Sequence, residues 1–158
     1  MDAHWQIRLA RPADAPGLVP IERRCFSDPW SATAFEELFR SPLGLGLVAE
    51  RRGSVEGYIV ARAVSGEAEI LNLAVVPEAR RGGLGGQLLV AGLAALGGIG
   101  AREVFLEVRE RNLAARQLYL RHGFRPVGVR ARYYRNPVED AIVLRLALVG
   151  RVIRPPRR

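Results

Sequence analysis

The first stretch with chemical potential runs Val75-Val76-Pro77-Glu78-Ala79-Arg80-Arg81-Gly82-Gly83-Leu84-Gly85-Gly86-Gln87. An apolar run enters a turn with two arginines and several glycines, and a second apolar run leaves it. Glycine lets backbone N–H groups approach an anion, and a helix N-terminus adds unpaired N–H groups and the positive end of its dipole. Phosphate binding by Arg80, Arg81, Gly82, Gly83, Leu84, Gly85 and Gly86 is the chemistry this allows; a flexible connector is the competing reading. A dinucleotide fingerprint is disfavoured, because Leu88 stands where its third glycine belongs and Glu103, near the ribose-binding spacing of about 20 residues, opens a strand. A P-loop is excluded, since the chain has no lysine to reach a nucleotide phosphate.

The second stretch is Leu106-Glu107-Val108-Arg109-Glu110-Arg111-Asn112-Leu113-Ala114-Ala115, then Leu118-Tyr119-Leu120-Arg121-His122-Gly123-Phe124. Strand alternation turns Glu107 away from Leu106 and Val108, beside Phe105 and Arg109. Taken alone, Glu107 reads as a salt-bridged strand carboxylate, Asn112 as a helix N-cap, and Tyr119 as core packing next to Ala115 and Leu118. Cys25 is the one cysteine, so an internal disulfide is impossible and a reducing cytoplasm fits. No metal is expected.

These residues need a scaffold. The chain has 158 residues, 49% hydrophobic and 25% charged, which suits one domain with a full core, assigned to 1–149. The basic end, 150–158 with Pro155-Pro156, reads as a loose tail. Trp5 to Ala10 reads as a strand and Arg11-Pro12 opens a helix. Ser31 caps a second helix to about Phe39. Leu45 to Glu50 and Val55 to Val64 pair across Arg52-Gly53-Ser54. Glu67 to Val76 is a strand expected to be buried on both faces after Ile70. Helices then span Leu84 to Leu96 and Leu113 to His122, around a strand from Glu103 to Arg109, and two strands close the fold near Leu148. This order implies a three-layer α/β domain. Leu88 to Ala101 is too short and glycine-broken to span a membrane, and Asp2, His4 and Arg8 argue against a signal peptide. The net charge of +8 comes with 24 basic residues, all arginine. A genome rich in G and C accounts for that, while a basic surface suits phosphates or a ribosomal partner.

The Arg80-Arg81-Gly82-Gly83-Leu84-Gly85 run resembles the acetyl-CoA loop of the GNAT N-acetyltransferases: Arg or Gln, two residues, Gly, one residue, Gly or Ala. The resemblance implies the GNAT fold, a mixed sheet splayed between the strands ending near Val75 and Val108. It implies acetyl-CoA as co-substrate, its pyrophosphate on the loop N–H groups and its pantetheine on backbone groups of Leu73, Ala74 and Val75. Gly86 departs from the pattern, many relatives being basic there. The Leu-Glu-Val-Arg, Asn-x-Ala-Ala, Leu-Tyr and Gly-Phe pieces are similar to RimI-type enzymes, which acetylate the N-terminal alanine of a small-subunit ribosomal protein. That likeness implies Glu107 as general base, Asn112 as a cofactor contact and Tyr119 as the acid protonating the departing thiolate. Phe26-Ser27-Asp28-Pro29-Trp30-Ser31, Tyr133-Tyr134 and Glu139-Asp140-Ala141 match the same subfamily, and put Trp30, Tyr133, Tyr134 and Glu139 at the acceptor cleft.

The implied chemistry is coherent. An amine attacks a thioester only when unprotonated, donors must meet the oxyanion, and a phenol can protonate the thiolate. Direct transfer in a ternary complex leaves no role for Cys25, His4 or His122. The expected acceptor is a peptide or protein N-terminus, possibly of a ribosomal protein, and the enzyme a monomer or weak dimer without a nucleic-acid-binding motif. The alternatives are a GNAT acting on a lysine or small amine, and a catalytically silent basic ribosome- or RNA-binding module. Asp28, Glu36, Glu37, Glu139 and Asp140 are candidates to make the cleft acidic enough for a basic peptide.

Overall fold

The computed structural model describes residues 4–148; the basic tail lies outside the described residues. Strand β1 (Gln6–Leu9) leads into a 3-10 turn at Pro12–Asp14, then helix α1 (Ala15–Cys25) and helix α2 (Ala32–Arg40). The helix expected from Arg11-Pro12 therefore starts one turn later. Ser31 does cap α2, accepting the Ala34 N–H. Next come β2 (Gly44–Arg51), β3 (Ser54–Val64), β4 (Glu67–Val75), α3 (Leu84–Gly98), β5 (Glu103–Arg109), α4 (Leu113–Arg121), β6 (Arg125–Tyr134) and β7 (Glu139–Ala147).

The seven strands form one open sheet in the order β1-β2-β3-β4-β5-β7-β6. All neighbours are antiparallel except β4 and β5. Side chains alternate across this sheet into two cores. Leu47, Ala49, Ile59, Ile70 and Leu106 pack with Leu84, Leu88 and Leu96 of α3. Val48, Tyr58, Val60 and Ala74 pack with Leu18, Phe35 and Leu38 of α1 and α2. This is the three-layer α/β arrangement read from the sequence. Gly92 permits the closeness of α3, because a Cβ there would lie 2.9 Å from Ile59.

Two details of β4 open the sheet. Its parallel ladder with β5 ends at Ile70 opposite Leu106. Immediately after, the register with β3 jumps from Ala61–Ile70 to Val60–Asn72, leaving Leu71 as the extra residue of a β-bulge. A bulge adds local twist and re-aims the strand, and here it coincides with the divergence of β4 from β5. The expectation of burial on both faces after Ile70 therefore fails: Leu71, Leu73 and Val75 are only half-buried, because no strand covers that edge of β4. No helix among the described residues is long and apolar enough to cross a membrane.

Candidate active site

The donor side is built from backbone. Gly83 is the N-cap of α3, with a φ of +84° in the left-handed region and open space where a Cβ would stand. The first bond of the helix runs from the Gln87 N–H to the Gly83 carbonyl at 3.1 Å. From Arg81 to Gly86 no backbone N–H finds an acceptor among the described residues, which makes the run a cradle for an anion. Gly82 has a different reason to be glycine: a Cβ there would meet the Trp5 indole at 2.7 Å. Arg80 turns back, its Nε donating to the Val75 carbonyl at 3.3 Å, while Arg81 is exposed. A Cβ at Gly86 would touch the His122 ring at an ordinary 3.7 Å.

The gap between β4 and β5 adjoins this loop. Val76 donates its N–H to the Glu56 carbonyl at 2.8 Å, so alternation aims the Ala74 backbone groups toward β3 as well. The Ala74 carbonyl lies 2.8 Å from where a Cβ on Gly57 would sit, in agreement. Of the three positions assigned to the pantetheine arm, Leu73 and Val75 thus offer backbone groups to the gap and Ala74 offers its own to the sheet.

The acceptor side is built from side chains. A cleft of about 400 Å³ lies on the α1 face of the gap, lined by Asp28 and Trp30 between α1 and α2, Glu69 and Asn72 of β4, Glu107 and Arg109 of β5, and Tyr133 and Tyr134 of β6. Glu107 stands on the β5 face opposite Leu106 and Val108, as alternation requires. Its carboxylate meets Arg130 Nε at 2.8 Å. Together with partial burial, the nearby Glu107 carboxylate pushes the Tyr133 phenol up to about 12. Tyr134 is raised above the usual phenol range by burial and then by the charge of Glu107, and it senses Tyr119 as well. Tyr134 is thus near enough to feel both residues assigned to proton transfer.

Tyr119 is part of the core on the α3 side of the sheet. Its ring packs edge-on against Phe124 at 5.6 Å, and burial raises its pKa above the ordinary phenol value. Its hydroxyl makes no hydrogen bond among the described residues, yet no sealed polar side-chain atom there lacks a partner. The hydroxyl therefore keeps some access to solvent. Asn112 caps α4 through its side-chain oxygen, which accepts the Ala115 N–H at 3.2 Å, and its NH2 remains available.

Glu139 does not line the cleft itself and is tied to Arg109, which does. Its oxygens accept Arg109 Nη1 at 3.1 Å and the Arg111 N–H at 2.7 Å, and the Arg111 N–H, then Arg109, hold it below the usual carboxylate range. Asp140 likewise accepts the Arg132 N–H at 2.9 Å. Of the five acidic candidates only Asp28 lines the cleft; the others there are Glu22, Glu69 and Glu107. Arg109 is the clasp. Besides Glu139 it donates to Ser27 Oγ, the Arg135 carbonyl and the Pro137 carbonyl, at 2.9, 2.9 and 3.0 Å, and it stacks on Tyr134 at 4.4 Å.

Sequence reasoning missed Glu22, Asn72, Arg109 and Arg130. Asn72 had a signal, a lone polar residue in the apolar run from Ile70 to Val76, and Arg109 shares a strand face with Glu107. Glu22 had none. Among the described residues no cluster of His, Cys, Asp or Glu is built to hold a metal ion.

Residues 15–124, most of the chain, match the model of the acetyltransferase (GNAT) family. The chain belongs to the GNAT family. Enzymes of this family use acetyl-CoA, and the cradle and gap suit such a donor. The [ribosomal protein bS18]-alanine N-acetyltransferase of Escherichia coli (strain K12) is 34% identical over 140 residues, 85% of this chain and 92% of that protein. The N-alpha-acetyltransferase RimI of Mycobacterium tuberculosis is 36% identical over 140 residues, 84% of this chain and 86% of that protein. Among solved structures, the ribosomal-protein-S18-alanine N-acetyltransferase from Escherichia coli superimposes with a TM-score of 0.84 at 32% identity, covering 90% of this chain and 93% of that one. Arabidopsis thaliana NAA60 in complex with acetyl-CoA shares the fold, with a TM-score of 0.82 at 21% identity, covering 92% and 99%.

Proposed function

We propose that this GNAT enzyme acetylates a protein N-terminal α-amine, that of an N-terminal alanine on a small-subunit ribosomal protein. The observation that carries the reading is the adjacency of the bare N–H run at Arg81–Gly86, the open β4–β5 gap and a tyrosine- and tryptophan-lined cleft with Glu107 inside it. The E. coli relative, similar along nearly its whole length, is named for that acceptor.

The donor supplies an acetyl thioester. The N–H groups from Arg81 to Gly86 hold its pyrophosphate, Leu73 and Val75 hold its arm through backbone groups, and the Asn112 NH2 adds a contact. Glu107 takes a proton from the entering ammonium, directly or through water. Arg130 must yield for that. Its side chain is 60% exposed against 14% for Glu107, so the arginine can swing into solvent at little cost while the carboxylate stays. Tyr119 gives its proton to the leaving sulfur. A protein α-amine, with a pKa near 8, is roughly one-tenth neutral at pH 7, whereas a lysine near 10.4 is neutral in about one molecule in a few thousand. One carboxylate serves the former more easily.

The test compares a short peptide with a free N-terminal alanine and an internal lysine to the same peptide with its N-terminus blocked. Mass spectrometry should find the acetyl group on the α-nitrogen of the first and almost none on the second. Comparable lysine acetylation of the blocked peptide would overturn the acceptor assignment and leave the acetyltransferase standing. Release of CoA without any amine turnover would point instead to a binder.

A further inference from the structure

Glu22, on α1, is the one charged side chain buried among the described residues, with no exposed surface. Its carboxylate is met by donors and by no cation. The Tyr58 hydroxyl donates to Oε1 at 2.5 Å. Asn72 Nδ2 approaches the two oxygens at 2.8 and 3.0 Å. The Trp30 N–H donates to Oε2 at 3.0 Å. None of the ion pairs among the described residues includes it. Burial raises its pKa against the pull of these donors.

A buried ion is an expensive way to fill space, and apolar side chains of the same volume commonly serve stability as well. What Glu22 offers is geometry. Its donors come from three pieces of the acceptor side: Trp30 from the wall between α1 and α2, Asn72 from the floor, and Tyr58 from β3 beneath. The Trp30 ring packs on Phe35 at 5.2 Å, and Phe35 meets Tyr58 edge-on at 5.5 Å. The circuit closes through Glu22. The Leu71 bulge is part of it: Leu71 and Asn72 both lie on the α1 side, whereas strict alternation would have sent Asn72 into the α3 core.

We propose that Glu22 is the positioning residue of the acceptor cleft, fixing the Trp30 wall against the Asn72 floor and so setting which amines reach Glu107. This rests on the cleft being the acceptor site. An ionised carboxylate only accepts hydrogen bonds, and all of its neighbours here donate. A glutamine fills the same volume but must turn an NH2 toward one of those donors, so it loosens the wall without emptying the core.

Glu22→Gln should raise KM for the free-alanine peptide by about tenfold, the mark of lost acceptor binding, with kcat and the acetyl-CoA dissociation constant within about twofold. It should also let the lysine of the blocked peptide be acetylated, narrowing the selectivity between the two amines by about tenfold. Glu22→Gln combined with Asn72→Asp exchanges donor and acceptor and should bring the acceptor KM back toward that of the unaltered enzyme. If Glu22→Gln does not fold, Tyr58→Phe removes one donor, keeps the ring, and should raise the acceptor KM alone by a few-fold, about 2–5. An unchanged acceptor KM, or one that moves together with acetyl-CoA affinity, overturns the proposal. An unaltered enzyme that acetylates no peptide sinks the acceptor reading and this proposal with it. Normal peptide acetylation by the unaltered enzyme beside indifferent variants sinks the proposal alone.

Discussion

The loop from Arg80 to Gly86 and the cleft around Glu107 solve binding in opposite ways. The loop works by leaving things out: side chains absent at Gly82, Gly83, Gly85 and Gly86, and N–H groups without acceptors. The cleft works by cross-linking. Arg109 joins β5 to the segment between α1 and α2 and to the β6–β7 turn, and Glu107 reaches Arg130 and Tyr133 of β6. A bare backbone cradle recognises a phosphate, which every acyl-CoA carries. A web of side chains can be retuned for each acceptor. Changes to the loop should therefore act on donor affinity, and changes to the cleft on acceptor use or turnover.

The sharpest separation is expected from Glu107→Gln. Removing the base should slow turnover by roughly 10²–10⁴, with partial recovery at high pH where the amine is already neutral. Acetyl-CoA affinity, read by calorimetry, should not change. Tyr119→Phe comes next. It keeps the ring on Phe124 and loses only the hydroxyl, so turnover should fall by about 10–100-fold while the donor binds normally and the melting temperature holds. A normal rate would assign Tyr119 to packing alone.

Gly83→Asp reverses the pattern. It sets a carboxylate against the donor pyrophosphate at a position whose φ of +84° disfavours any side chain, and acetyl-CoA affinity should fall about tenfold, or about 1.4 kcal/mol. An unchanged dissociation constant in a folded variant would break the assignment of the loop. The smallest effect belongs to Arg109→Ala. Three of its contacts, to Ser27, Arg135 and Pro137, are to loops around the cleft, so the acceptor KM should rise about fivefold with the acetyl-CoA constant unmoved. A shift of both constants would mean that the two regions are not separable.

How far each region was legible follows from the same contrast. The loop is written in one contiguous segment, because its requirements are local: glycine for a left-handed φ, a helix start for free N–H groups. The face of Glu107 follows from strand period alone. Glu22 was invisible, since a glutamate on an amphipathic helix reads as solvent-facing and its donors Tyr58 and Asn72 lie 36 and 50 residues away. Glu139 matched a family piece, yet the strand register puts it within reach of Arg109, which claims its charge. The strand expected to run buried to Val76 was misjudged because nothing in Ile70-Leu71-Asn72-Leu73-Ala74-Val75 announces that its neighbour departs.

That departure gives the bulge at Leu71 a meaning in terms of counting. Leu71 is a half-step that puts two successive residues on the α1 face, so deleting it alone would join Ile70 to Asn72 in plain alternation and leave Asn72, Leu73, Ala74 and Val75 on the faces and opposite the β3 partners they now have. What the deletion would remove is the added twist that re-aims β4 away from β5. The donor slot should then narrow while the acceptor floor stays in place. A residue added or removed elsewhere between Asn72 and Val75 would instead turn every side chain beyond it to the opposite face.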